Sequence, residues 1–186
     1  MRIVIALGGN ALLERGEPAE ARIQQGHARQ AAQALVPLIA DHEVIICHGN
    51  GPQAGILAAE SESDPALSRP YPLDVIGAQT QGMIGYWLVR ELHNAGVAKP
   101  VIAVVSQTLG DAADPAFAEP TKFIGTGYTR RQAADLASRR RWRMAQGGAA
   151  RRRGGPSPGP ARAVGAEKAA PRRFRHAHLF GNDVTF

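Results

Sequence analysis

The sequence predicts an α/β domain, a three-layer α/β/α sandwich around a mainly parallel sheet. Three observations carry this. Short apolar runs rich in β-branched residues stand at 2–7, 43–47 and 100–106, helix-length segments lie between them, and glycine-rich turns follow the first two runs directly. Strands alternating with helices of that length need crossover connections, which build parallel sheets covered on both faces. A chain of 186 residues has room for one domain with a sizeable core.

The first run, Arg2 to Leu7 (RIVIAL), suits a strand buried on both faces and ends at Gly8 and Gly9. From Ala19 to Ala40, Ile23, Ala31, Leu35, Leu38 and Ile39 fall on one helical stripe, with Pro37 as an expected kink. Glu43 to Cys47 reads as a second buried strand, stopped by His48-Gly49-Asn50-Gly51-Pro52. A further helix, then a Ser-, Asp- and Pro-rich loop around Ser61 to Pro72, leads into a long helix from Asp74 to about Ala95. Asp74 is expected to cap it. Gly77, Gly82 and Gly85 inside that helix each cost about 1 kcal/mol against Ala, so close packing, a subunit interface included, is expected there. Pro100 to Ser106 (PVIAVVS) reads as a third buried strand. Residues 107–128, dense in turn signals, read as a protruding loop or hairpin, and Thr129 opens a short helix to about Arg141.

Charge divides the chain. Residues 1–129 hold 8 Lys and Arg against 13 Asp and Glu, net −5, whereas residues 130–186 hold 14 against 3, net +11. Beyond Gln146 the text is Arg-, Gly-, Ala- and Pro-rich without apolar period, so a disordered basic tail is expected over 143–186. No apolar run is long enough to span a bilayer, and the run after Arg2 breaks at two glycines, unlike a signal peptide. The single cysteine, Cys47, leaves no intrachain disulfide or cysteine-based zinc site, and a reducing cytoplasm is the expected compartment. No metal-ligating residues are assigned.

The chemistry sits in the two turns, Gly8-Gly9-Asn10-Ala11 and His48-Gly49-Asn50-Gly51-Pro52-Gln53. Ligands of open parallel sheets bind beyond the carboxyl ends of the strands. Glycine there lets backbone N–H groups approach an anion without Cβ obstruction, and a helix N-terminus adds a favourable field. Neither turn matches Walker A or GxGxxG. Either alone could be only a tight turn; together, with asparagine donors, they favour anion binding.

Five segments in order carry a resemblance. ALGGNALL (Ala6 to Leu13), HGNGPQ (His48 to Gln53), YPLDVIGAQTQGMIGYWL (Tyr71 to Leu88), DPAF (Asp114 to Phe117) and PTKFIG (Pro120 to Gly125) resemble carbamate kinases of the amino-acid-kinase family. The first two are shared across amino-acid kinases; the third with PTK…IG is more particular. The match covers about residues 2–142. It implies an amino-acid-kinase fold over 1–142, incomplete, with 107–128 as the protruding hairpin. It also implies transfer of a phosphoryl group from ATP, with Mg2+, to carbamate, giving ADP and carbamoyl phosphate in arginine and carbamoyl phosphate metabolism. Carried over residue by residue, Gly8, Gly9 and Asn10 lie at the phosphates, Gly49, Asn50 and Gly51 on the carbamate side, and Lys122 reaches over the site. Asn10 and Lys122 are the catalytic candidates; His48 is a ligand contact or a turn-stabilising residue. A homodimer is the expected assembly.

The sequence departs from the family after Trp142. The second glycine-rich turn, the adenine pocket and the further phosphate-binding lysines are not found, and the lysines present are Lys99, Lys122 and Lys168. A truncated or frameshifted copy, poorly active, is therefore expected. Two competing readings stay open: another amino-acid kinase, acting on acetylglutamate, aspartate or UMP, and a non-catalytic protein whose basic tail binds nucleic acid or acidic lipid. Arg139–Arg141 and Arg151–Arg153 support the latter, but no aromatic residues interleave them for base stacking.

Overall fold

The computed structural model describes residues 1–14, 16–107, 127–140, 143–146 and 161–164. Strand β1 (Arg2–Leu7) and strand β2 (Glu43–His48) pair in parallel, Arg2 opposite Glu43 through to Leu7 opposite His48. The crossover between them is helix α1 (Ala21–Asp41), which runs on through Pro37. Helix α2 (Gly51–Ser63) and helix α3 (Leu73–Asn94) follow. This is an incomplete α/β fold with a parallel sheet, as the strand and helix alternation predicts.

Two clusters form the core between sheet and helices. Leu12, Ala28, Ile84, Trp87 and Leu88 gather under the site end, with Leu7, Ile46 and Met83 against them. Ala32, Leu35, Ile39, Leu92 and Val97 gather at the other end, with Ile5, Val36, Val44, Ile46 and Val101. Burying one aliphatic side chain of this size contributes roughly 1.5–3 kcal/mol, which is what fixes α1 and α3 on the sheet.

The strands were expected to be buried on both faces, and here the structure differs. Ile5, Val44 and Ile46 meet the helices, but Val4 and Ile45 on the opposite face are 56% and 44% exposed. Helices cover one face among the described residues.

The third expected strand is also corrected. Residues 100–107 form no strand, and Ile102 and Val104 are 82% and 74% exposed. A strand needs a ladder partner, and this segment spends its backbone elsewhere. The Ser106 N–H donates to Gln81 Oε1 at 2.8 Å, and Gln81 Nε2 donates back to the Ser106 carbonyl at 3.2 Å. Gly85 admits the segment, for a Cβ there would stand 2.8 Å from the Ala103 Cβ. That accounts for one of the helix glycines. Gly77 is buried, while a Cβ on Gly82 would meet nothing within 4 Å.

Pro72, not Asp74, occupies the N-cap position of α3, and Asp74 stands in the first turn, where a carboxylate suits the helix dipole. Further on, helix α4 (Arg130–Arg140) follows a short strand β3 (Gly127–Tyr128). The expected hairpin lies almost wholly outside the described residues. So does most of the tail, but Arg143–Gln146 (β4) and Ala161–Val164 (β5) pair antiparallel, with β3 on the other side of β5. At those positions the expectation of disorder gives way to strand pairing. Four-residue pieces such as ARAV need only backbone partners for this, not an amphipathic period.

The C-terminus of α1 is closed by a residue distant in sequence. Lys99 Nζ donates to the carbonyls of Ile39, Ala40 and His42 at 2.6, 2.9 and 3.2 Å. A cation at the negative end of a helix contributes about 1 kcal/mol. Lys99→Met should keep the aliphatic arm yet lower the melting temperature by about 2–4 °C; an unchanged thermal midpoint would show the cap to be inconsequential.

Candidate functional site

The parallel register places Leu7 beside His48, so both glycine turns leave the same edge of the sheet, as joint anion binding by the two turns requires. They are in backbone contact. The Gly49 N–H donates to the Leu7 carbonyl at 2.8 Å. A Cβ on Gly49 would lie 2.9 Å from Gly9 N and 3.6 Å from Gly8 C, and one on Gly9 would lie 3.0 Å from Pro52 Cδ. At Gly8 and Gly51 a Cβ would meet nothing within 4 Å. The turns therefore touch along one side and leave open space along the other.

Gly8 caps a single 3-10 turn over Gly9–Ala11, and Asn50 is the N-cap of α2, with Pro52 in its first turn. The backbone N–H groups of Gly9, Asn10 and Gly51 have no acceptor among the described residues. Such groups at the start of helical turns are suited to an anion. The 3-10 turn is anchored from behind by Leu12 and Leu13, both buried. The loop beyond is held by Glu17, whose Oε2 accepts from the Glu14 N–H and pairs with His27 Nε2, each at 2.8 Å.

Asn10 is exposed, and its side chain makes no hydrogen bond among the described residues. Asn50 is half-buried and donates through Nδ2 to Thr80 Oγ1 at 2.9 Å. His48 is half-buried, with Nδ1 3.4 Å from the Gly49 carbonyl. Burial pushes the imidazole below its ordinary value of 6.5, the Gly49 contact opposing this in part. The ring is thus neutral at pH 7 and brings no charge to an anion. Lys122 lies outside the described residues.

Two buried polar residues behind the turns were not among the sequence candidates. Gln53, 1% exposed, donates from Nε2 to Gln24 Oε1 at 3.0 Å, tying α2 to α1, while its own Oε1 has no partner. Thr80, completely buried on α3, receives Asn50. Both stood inside quoted motifs, HGNGPQ and QTQG, but nothing in the sequence says which polar side chains turn inward.

Chemically, the site offers hydrogen-bond donors. Among the described residues no group of three or more His, Cys, Asp or Glu could hold a metal ion, and N–H groups repel cations. These N–H donors suit an anion. Among the described residues, likewise, no helix is long and apolar enough to cross a membrane.

The model of the amino acid kinase family matches residues 1–135. Carbamate kinase from Rhizobium meliloti is 44% identical over 163 residues, covering 87% of this chain and 50% of that protein. The Haemophilus influenzae carbamate kinase is 47% identical over 163 residues, 87% of this chain and 52% of that protein. Among solved structures, the carbamate kinase from Giardia lamblia bound to citric acid superposes with a TM-score of 0.71 at 34% identity, over 78% of this chain and 49% of that one. The chain spans about half the length of the relatives it matches. With the family model over its first 135 residues and the crossover, turns and sheet edge in place, the chain belongs to the amino acid kinase family.

Proposed function

We propose that this chain carries the carbamate and phosphate side of a carbamate kinase, a phosphotransferase that takes ATP and carbamate to ADP and carbamoyl phosphate. The observation that carries it is the contact between the Gly8-Gly9 and Gly49-Gly51 turns, which brings N–H groups without a partner among the described residues together at one sheet edge, with room for a Cβ at Gly8 and Gly51. In the reaction a carbamate oxygen attacks the γ-phosphorus, a new P–O bond forms, the bond to the bridging oxygen breaks, and ADP leaves. Phosphoryl transfer asks little covalent chemistry of a protein; positioning and charge stabilisation do most of the work. Gly9 and Asn10 would hold the transferred group through N–H and amide donors, and Gly49, Asn50 and Gly51 would orient carbamate against it. Losing one such donor in comparable sites costs about 10²–10³ in rate. Lys122 is proposed as the cation over the site. Mg2+, which supplies charge neutralisation when bound, would enter with the nucleotide rather than on the described residues. A homodimer through the open side of α3, where Val75 and Tyr86 are exposed beside Gly82, and a cytoplasmic role in arginine metabolism complete the reading.

The 186-residue chain corresponds to half of such an enzyme, and nucleotide binding is proposed to need the remainder. Purified chain supplied with ATP, Mg2+ and carbamate should form no ADP above background, while carbamoyl phosphate still binds. Turnover comparable to an intact kinase would overturn the division of labour. Preference for acetylglutamate or aspartate over carbamoyl phosphate would favour another amino-acid kinase.

A further inference from the structure

We propose that Thr80 is a positioning residue for this site, holding the Asn50 amide with its nitrogen inward and its oxygen toward the open side. Thr80 sits mid-helix and is fully buried, an unfavourable place for an unpaired hydroxyl. Its Oγ1 lies 3.0 Å from the Ile76 carbonyl and 2.9 Å from the Gly77 carbonyl, both acceptors. A hydroxyl has one proton, and back-bonding to the helix consumes it. Toward Asn50, at 2.9 Å, Thr80 can therefore only accept.

The consequence falls on Asn50. The atom it turns to Thr80 must be the NH2 group, so the orientation of this amide follows from the hydrogen-bond network. The opposite atom, Oδ1, has no partner among the described residues. The turn thus presents one acceptor among the N–H donors of Gly9, Asn10 and Gly51. A purely anionic ligand has no use for that acceptor. A ligand bearing both anionic oxygens and an N–H, such as carbamate or carbamoyl phosphate, satisfies both kinds of group. This reading of the ligand rests on the function proposed above; the positioning of Asn50 by Thr80 does not.

Uniformly 15N-labelled chain separates the two. Asn50 side-chain NH2 protons should exchange slowly with solvent and show a downfield-shifted member in the wild type and in Thr80→Ser, and lose both features in Thr80→Val. Carbamoyl phosphate should bind Thr80→Val about tenfold more weakly than wild type, and Thr80→Ser within about twofold. Acetyl phosphate, with a methyl in place of the amino group, should bind wild type more weakly than carbamoyl phosphate does, and this preference should shrink in Thr80→Val. An Asn50 amide signal indifferent to Thr80→Val overturns the proposal. Wild type that binds neither ligand, with the Asn50 signal still lost in Thr80→Val, overturns the proposed ligand and upholds the positioning. Should Thr80→Val unfold, Thr80→Ala decides: it removes the acceptor without adding bulk, and should lose the slow exchange of the Asn50 NH2 protons that Thr80→Ser keeps. Slow exchange retained in Thr80→Ala would contradict the arrangement.

Discussion

Gly49→Ala is expected to destabilise the fold and abolish anion binding together, while Gly8→Ala and Gly51→Ala abolish binding alone. The three glycines look alike in sequence and differ in what surrounds them. A Cβ at Gly49 would stand 2.9 Å from Gly9 N, and that neighbour is backbone in a 3-10 turn, not the end of a flexible side chain. One turn must move off the other, at a cost of about 1–3 kcal/mol, typical of overpacking. The displaced N–H groups of Gly9 and Asn10 are those proposed to hold the anion. At Gly8, whose φ of −62° and ψ of 156° suit any residue, and at Gly51, a methyl meets nothing. It fills only the space an anion would take. Denaturant titration and phosphate binding on all three variants test this. A destabilised Gly8→Ala, or a Gly49→Ala that folds and binds normally, would show the contact map of the turns to be wrong.

Glu91 supports the second large effect. Its side chain is 1% exposed on α3, and it gathers Arg90 (Nη2 at 2.8 Å), Arg29 of α1 (Nε at 3.2 Å) and Asn94 (3.4 Å). The Arg90 hydrogen bond, aided by Arg29 and Asn94 and opposed by burial, holds the carboxyl below its ordinary value of 4.5. The cover is thin, for the Arg29 side chain is 64% exposed, so the network sits nearer a surface pair than a deeply buried one. Glu91→Gln should cost about 1–2 kcal/mol at pH 7. A carboxylate with a depressed folded-state value contributes fully above the unfolded value and loses that contribution as pH falls through the folded one. The gap between wild type and Glu91→Gln, measured by urea unfolding, should therefore be constant above about pH 5 and close below 4.5. A gap that persists in acid would assign the effect to packing instead.

How far the fold could be read depended on whether an element's partner lay nearby in the chain. β1, α1, β2 and α3 were legible because each carries its own signal: a β-branched run closed by glycine, or a stripe at helical spacing. PVIAVVS carries an equally clear strand signal, yet residues 100–107 lie along α3, because a ladder partner is a property of the fold and not of the segment. The exposed face of β1 and β2 has the same origin. Apolar alternation says that Val4 and Ile45 could be covered; it does not say by what. Of the site, the two turns were visible through glycine, but the difference between Gly49 and Gly51 was not, since it depends on a contact between segments forty residues apart. Thr80 was hidden for the same reason. A threonine between two glutamines on a helix signals nothing until α2 and α3 are placed side by side.

The central claim is that the two glycine turns together bind carbamoyl phosphate, the first at its phosphoryl group and the second at its carbamoyl group. Titrating carbamoyl phosphate into 15N-labelled chain and following backbone amides measures this most directly. The account predicts saturable shifts at Gly9, Asn10 and Gly51 in one common isotherm, lost in Gly8→Ala and Gly51→Ala while both stay folded. Shifts confined to the arginine-rich residues beyond 129, with the amides of both turns unmoved, would contradict it.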